Sequence, residues 1–188
     1  MKSILLLAAA LAPAFAQISG PVAVTVREPE SGRIVQPAAK AAVSRQELRK
    51  LETHFDDNLG NAGGTDHFDL RGYTRGIYLD GYGVVFTAEV DLIVSPMPNP
   101  FRQVIPPAEV AKVHQRKLDH VPILIKLMKD MMTSSAGALA ELPANDQIVV
   151  SVRMQYHPWE DTKGLPTEIV MKADRKSALA GQIQMEEQ

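Results

Sequence analysis

The chain contains no cysteine. That absence excludes disulfide staples, a lipid-modified cysteine behind a leader, thiolate metal ligands and a thiol nucleophile. Aromatic residues are scarce at 5 %, with Trp159 the single tryptophan. Neither sign of charge dominates: the formal net charge is -2, too little to mark a nucleic-acid or anionic-membrane partner. Established catalytic signatures are missing too. The nucleophile elbow Gly-x-Ser-x-Gly, the metalloprotease His-Glu-x-x-His, the phosphate-binding Gly-x-x-x-x-Gly-Lys-Ser/Thr and the Ser-x-x-Lys pair do not occur, so common hydrolase and nucleotide mechanisms lose support. Gly81-Tyr82-Gly83 opens like a dinucleotide fingerprint, but the third glycine is absent and a strand pattern follows where a helix is required. No cofactor is expected.

What is present begins with an export pattern. Lys2 supplies a positive start, Ile4 to Leu11 form a short uncharged apolar run, and Ala14-Phe15-Ala16 places small residues at both positions a signal peptidase requires. The run meets Pro13 well short of the ~20 apolar residues that span a bilayer. We therefore expect residues 1–16 to be a cleaved signal peptide, with the mature protein starting near Gln17, lacking a transmembrane anchor, and residing in a bacterial periplasm or the medium. Residues 17–43 read as an extended N-terminal segment or linker, with an edge strand at Val22, Val24 and Val26; 44–181 as a single α+β domain; 182–188 as a polar, frayed tail.

Within the domain, Ser44 and Glu47 have capping-box spacing, and Leu48, Leu51, Phe55 and Leu59 form one helical stripe ending near Gly60. Residues 60–76 hold five glycines and read as a loop. Asp80-Gly81 between two β-prone runs predicts a two-residue hairpin turn. Beyond it, Val84, Phe86, Ala88, Val90, Leu92 and Val94 occupy one face, and Thr87, Glu89 and Asp91 the other. A proline-rich connection leads to a long amphipathic helix from about Ala108, whose stripe is Val110, His114, Lys117, Val121, Leu124, Met128 and Met131; Pro122 predicts a kink or break near His120. Alternating Ile148 to Tyr156 and the run Thr167 to Ala173 form a second strand pair, and Asp174 caps a short last helix ending at Gly181. The order is α-β-β-α-β-β-α. It predicts a mostly antiparallel sheet of about four strands, covered on one face by two or three helices.

Two groups of residues carry candidate chemistry. Arg71 and Arg75 flank Tyr73 just before the hairpin, with Tyr82 following the turn. Paired guanidinium groups beside aromatics suit an anion or a partner's carboxylate, whereas pairing with Asp66 or Asp69 is the simpler account. The second group is His54, Asp56, Asp57, Asp66 and His67; imidazole and carboxylate suit a divalent ion. Its spacing fails the calcium-loop pattern, with Asn61 at the glycine position and His67 at the final acidic position counting from Asp56, and a solvated helix end accounts for it. His114 and His120 are six residues apart, on different helix faces. In His157-Pro158-Trp159-Glu160, the tryptophan reads as an anchor holding its loop to the core.

A sound core pattern without a convergent catalytic set predicts a non-enzymatic binding module of the cell envelope or secretome, with a protein partner. The alternative is a metal-binding protein or metal-dependent enzyme using the His54 cluster.

Overall fold

The computed structural model describes residues 43–64, 66–101 and 103–188. The expected signal peptide, and the linker up to residue 42 with its strand at Val22 to Val26, lie outside the described residues.

Helix α1 spans Arg45–Asn61. Its first turn closes as the capping box requires: the Glu47 N–H donates to Ser44 Oγ at 3.2 Å and the Ser44 N–H to Glu47 Oε2 at 2.8 Å. Leu48, Leu51, Phe55 and Leu59 are buried along one face.

Strand β1 runs Asp69–Leu79, so the second half of the expected glycine loop is strand. The glycines fit the sheet for local reasons. Register shifts between Leu70 and Gly72 and between Gly72 and Arg75 mark bulges, where backbone freedom is useful. At Gly76 an added Cβ would lie 2.8 Å from Phe86 Cε1, so only glycine permits that approach. Strand β2 spans Gly83–Asp91 and pairs antiparallel with β1. Asp80-Gly81 does sit at the centre of a turn, closed by the Tyr82 N–H donating to Leu79 O at 3.0 Å, with Gly81 at φ 71°. Pairing resumes at Leu79 with Gly83, however, so the loop has Asp80, Gly81 and Tyr82 rather than two residues. Val84, Phe86, Ala88, Val90 and Leu92 are buried as expected, but Val94 is exposed and Asp91 is buried, because the strand ends at Asp91 and the alternation ends with it.

Helix α2, Pro107–Ala138, is continuous through Pro122, so of the expected kink or break near His120 the break does not occur. Pro122 lies on the exposed side, so its ring meets solvent, while Lys117 and His120 before it and Leu124 and Met128 after it are all buried and hold both halves against the sheet. Strand β3, Gln147–Met154, pairs parallel with β2 across this helix. Strand β4, Glu168–Asp174, pairs antiparallel with β3, and helix α3, Arg175–Leu179, starts at Asp174, whose carboxylate accepts the Ser177 N–H at 2.8 Å.

The expected frayed tail is instead β5, Gln184–Glu187, antiparallel to β4. Its residues are exposed; backbone hydrogen bonds place it, and these leave no apolar alternation for a sequence to show. The sheet order is β1-β2-β3-β4-β5, an α+β arrangement of one strand more than expected with a single parallel pairing. Helix α1 packs on β1, and α2 and α3 pack on β3 and β4, forming one core with the inward side chains of the sheet. Among the described residues nothing covers the other face.

Candidate functional site

Two places carry chemistry. The first is the uncovered face. Tyr73 is 77 % exposed and Ile77 57 %, with Leu79 and Tyr82 also exposed. Tyr73 and Arg75, with Thr87, Glu89, Ser151, Arg153 and Glu168, line a shallow depression of about 430 Å³. Lys172 Nζ stands 5.8 Å from the Tyr82 ring centroid, a cation–π distance. Of the four residues singled out for binding, Tyr73, Arg75 and Tyr82 are exposed at this face, while Arg71 turns to the strand end, 3.1 Å from Asp69 Oδ2 and 3.4 Å from Asp91 Oδ2.

The free edge of β1 is closed to a partner strand at its middle. Glu52 Oε1 accepts the Gly76 N–H at 2.7 Å, Asp56 Oδ1 accepts the Thr74 N–H at 2.9 Å, and Arg45 donates to Gly76 O at 2.7 Å. Side chains of α1 thus take the hydrogen bonds that a further strand would make.

The expected metal cluster is dispersed. His54 pairs with Asn58 at 3.1 Å, the Asp57 carbonyl accepts from Asn61, and Asp56 holds Thr74. Asp66 Oδ2 accepts from Arg116 Nε at 2.7 Å, and His67 is exposed. The Arg116 hydrogen bond holds the Asp66 carboxyl below its ordinary pKa, outweighing burial. His120 bridges the carbonyls of Arg116 and Asp66 at 2.8 and 2.7 Å, and His114 meets the Asp161 carbonyl at 2.8 Å.

The second place lies at the carboxyl ends of the parallel pair β2 and β3. There Asp91 ends β2, and Gln155, donating its N–H to Val90 O at 2.8 Å, leads β3 into Tyr156 and His157. Lys117 reaches this point from the α2 stripe with its side chain wholly buried. Its Nζ is 2.7 Å from Asp91 Oδ1 and 2.5 Å from Glu160 Oε2, both carboxylates 1 % exposed, and 4.9 Å from the Tyr156 ring centroid. Burial first, then the negative charges of Glu160 and Asp91, raise the Tyr156 phenol above its ordinary range, and its hydroxyl donates to Pro166 O at 2.6 Å. An ammonium between two carboxylates meets the demand that buried charges be paired, and it ties the loop after β3 to the long helix.

The pairing is incomplete. Glu160 Oε1, His157 Nε2 and Trp159 Nε1 are buried with no hydrogen-bond partner among the described residues. The Trp159 ring stacks on His157 at 6.0 Å and 8°. Asp91, His157 and Glu160 each offer a ligand atom within 4.8 Å of the other two, the one such group of metal-ligating side chains among the described residues. Sequence reading passed over this set because its members lie far apart in the chain. One signal was present: Lys117 occupies the same helical stripe as Leu124, Met128 and Met131, and a lysine on a buried stripe requires a buried anion.

Compared with known protein families, curated proteins and solved structures, the chain matches none.

Proposed function

We propose that this protein is an exported, non-enzymatic binding module that docks a protein partner of the cell envelope or secretome on the uncovered face of its sheet. The observation that carries the reading is the exposure of Tyr73 and Ile77 on one strand, 77 % and 57 %, beside the basic side chains of Arg75 and Arg153. Large apolar side chains contribute most to binding where they sit together at a surface. Glu89 and Glu168 stand beside these guanidinium groups, so the rim presents both signs of charge to a complementary surface. The partner is therefore an apolar surface edged with charged groups of both signs. Because α1 side chains hold the middle of the β1 edge, docking uses the face of the sheet rather than strand addition. Export rests on the leader sequence, and N-terminal sequencing of mature protein starting at Gln17 checks it.

The test of docking is site-specific photocrosslinking in cells, with the photoreactive residue at Tyr73 or Ile77 and a control at Lys126 on the exposed side of α2. A discrete adduct from the two sheet positions, absent at Lys126 and lost on Arg75→Glu, is the expected result. No adduct, or equal labelling at Lys126, rejects the reading.

A further inference from the structure

We propose that Asp91, His157 and Glu160 form a binding site for one divalent transition-metal ion, independent of the docking face. Lys117 engages one oxygen of each carboxylate, Asp91 Oδ1 and Glu160 Oε2. Of the second oxygens, Asp91 Oδ2 meets only a long contact from Arg71 Nη2 at 3.4 Å, and that of Glu160 meets no donor among the described residues. Glu160 Oε1 belongs to a side chain 1 % exposed and has no hydrogen-bond partner among the described residues. Asp91 Oδ2 lies 3.8 Å from His157 Nε2, itself buried and lacking a hydrogen bond. A buried carboxylate oxygen and a buried imidazole nitrogen left together are costly, and a cation between them removes both costs at once.

The local charge agrees. Asp69, Asp91 and Glu160 face Arg71 and Lys117 at the end of the strands, one carboxylate more than there are basic side chains. A bound cation offsets that excess. Lys117 acts as an outer partner, fixing the orientation of both carboxylates as the hydrogen bonds around metal ligands do elsewhere. One imidazole with two carboxylates suits zinc or manganese; calcium and magnesium prefer all-oxygen surroundings. Three protein ligands beside a cavity of about 390 Å³ lined by Arg71, Glu89, Asp91, Gln155, Tyr156 and His157 leave room for water or a small anionic group as a further ligand.

The chain carries its own reporter, since Trp159, its single tryptophan, stacks on the proposed ligand His157. Mature protein stripped with chelator is titrated with zinc, and Trp159 fluorescence and the melting temperature are followed. The expected result is a saturable one-to-one change in emission with a rise in melting temperature. His157→Gln abolishes both while keeping the melting temperature of the metal-free protein, and the double variant His54→Gln, His67→Gln retains both. A measurement on the unmodified chain needs no variant: cobalt(II), paramagnetic and bound beside the indole, quenches Trp159 at one equivalent. Failure of zinc and manganese to change the emission, absence of cobalt quenching, or a zinc response that survives in His157→Gln would overturn the proposal and leave the orphaned groups to water.

Discussion

Glu52 Oε1 accepts the backbone N–H of Gly76 at 2.7 Å, joining the middle of helix α1 to the outer edge of strand β1. With Asp56 one helical turn further on holding Thr74, two carboxylates stand where a sixth strand would pair. Gly76 is required for this contact, since any Cβ there would crowd both Phe86 and the Glu52 carboxylate.

Replacing Glu52 by Ala should therefore do two things. It removes a buried acceptor, costing about 1–3 kcal/mol, and it opens the edge to another copy of the chain. A lower urea midpoint together with a concentration-dependent rise in light scattering is the expected result. A variant that keeps wild-type scattering and stability would show that the edge needs no protection.

The two glycines of the β1–β2 turn should differ sharply. Gly81 has φ 71° with open space around it, whereas Gly83 has φ 132° and its Cβ would fall 1.9 Å from Gln147 O on the neighbouring strand. Gly81→Ala should cost about 1–2 kcal/mol, the ordinary penalty of a left-handed residue. Gly83→Ala adds a clash with backbone and should exceed it clearly. Comparing the two denaturation midpoints checks the order; equal effects would contradict the close approach of β2 and β3.

Lys117→Met leaves Asp91 and Glu160 buried without their counter-ion, which should lower stability by about 3–5 kcal/mol at neutral pH. Adding Asp91→Asn and Glu160→Gln removes the uncompensated charges and should restore part of the loss. If the triple variant is no more stable than Lys117→Met, repulsion between bare carboxylates is not the cause.

Asp66 sets a pH dependence. Its folded-state pKa is lowered, chiefly by the hydrogen bond from Arg116, so the unfolded chain takes up the proton more readily. The stabilisation is then complete above the ordinary aspartate range and disappears as pH falls through the lowered folded value. Asp66→Asn should reduce the melting temperature at neutral pH, and the gap should close on acidification. A gap constant with pH would mean that the Arg116 pair contributes nothing through charge.

The elements of the fold were legible wherever a local rule governed them. The Ser44–Glu47 cap, the Leu48 to Leu59 stripe, the alternation from Val84 to Leu92 and the Asp174 cap each depend on residues within a turn or two of one another. Beyond that range the sequence misled in particular ways. Residues 69–76 read as loop rather than strand because Gly76 is glycine for a reason that lies on Phe86 of another strand and Gly72 sits between register shifts. Residues 184–187 read as a frayed tail because backbone hydrogen bonds to β4 carry no side-chain pattern. Of the local group Arg71, Tyr73, Arg75 and Tyr82, the structure leaves Tyr73, Arg75 and Tyr82 exposed on the uncovered face and turns Arg71 to Asp69 and Asp91, whereas the His54 cluster was a sequence neighbourhood that the helix and loop geometry pulled apart.

By itself, then, the sequence determined the class of the fold, the order of its helices and central strands, and which faces are apolar, since periodicity and capping are properties of the chain over a few residues. Only the tertiary structure decided that α2 crosses over to make β2 and β3 parallel, and so brings Asp91, Lys117, His157 and Glu160 to one buried point. The members of that cluster are separated by up to sixty-nine positions, from Asp91 to Glu160. Charges so distant in the chain meet only because burying the apolar faces around them leaves each no water, and each must then find its partner inside the protein.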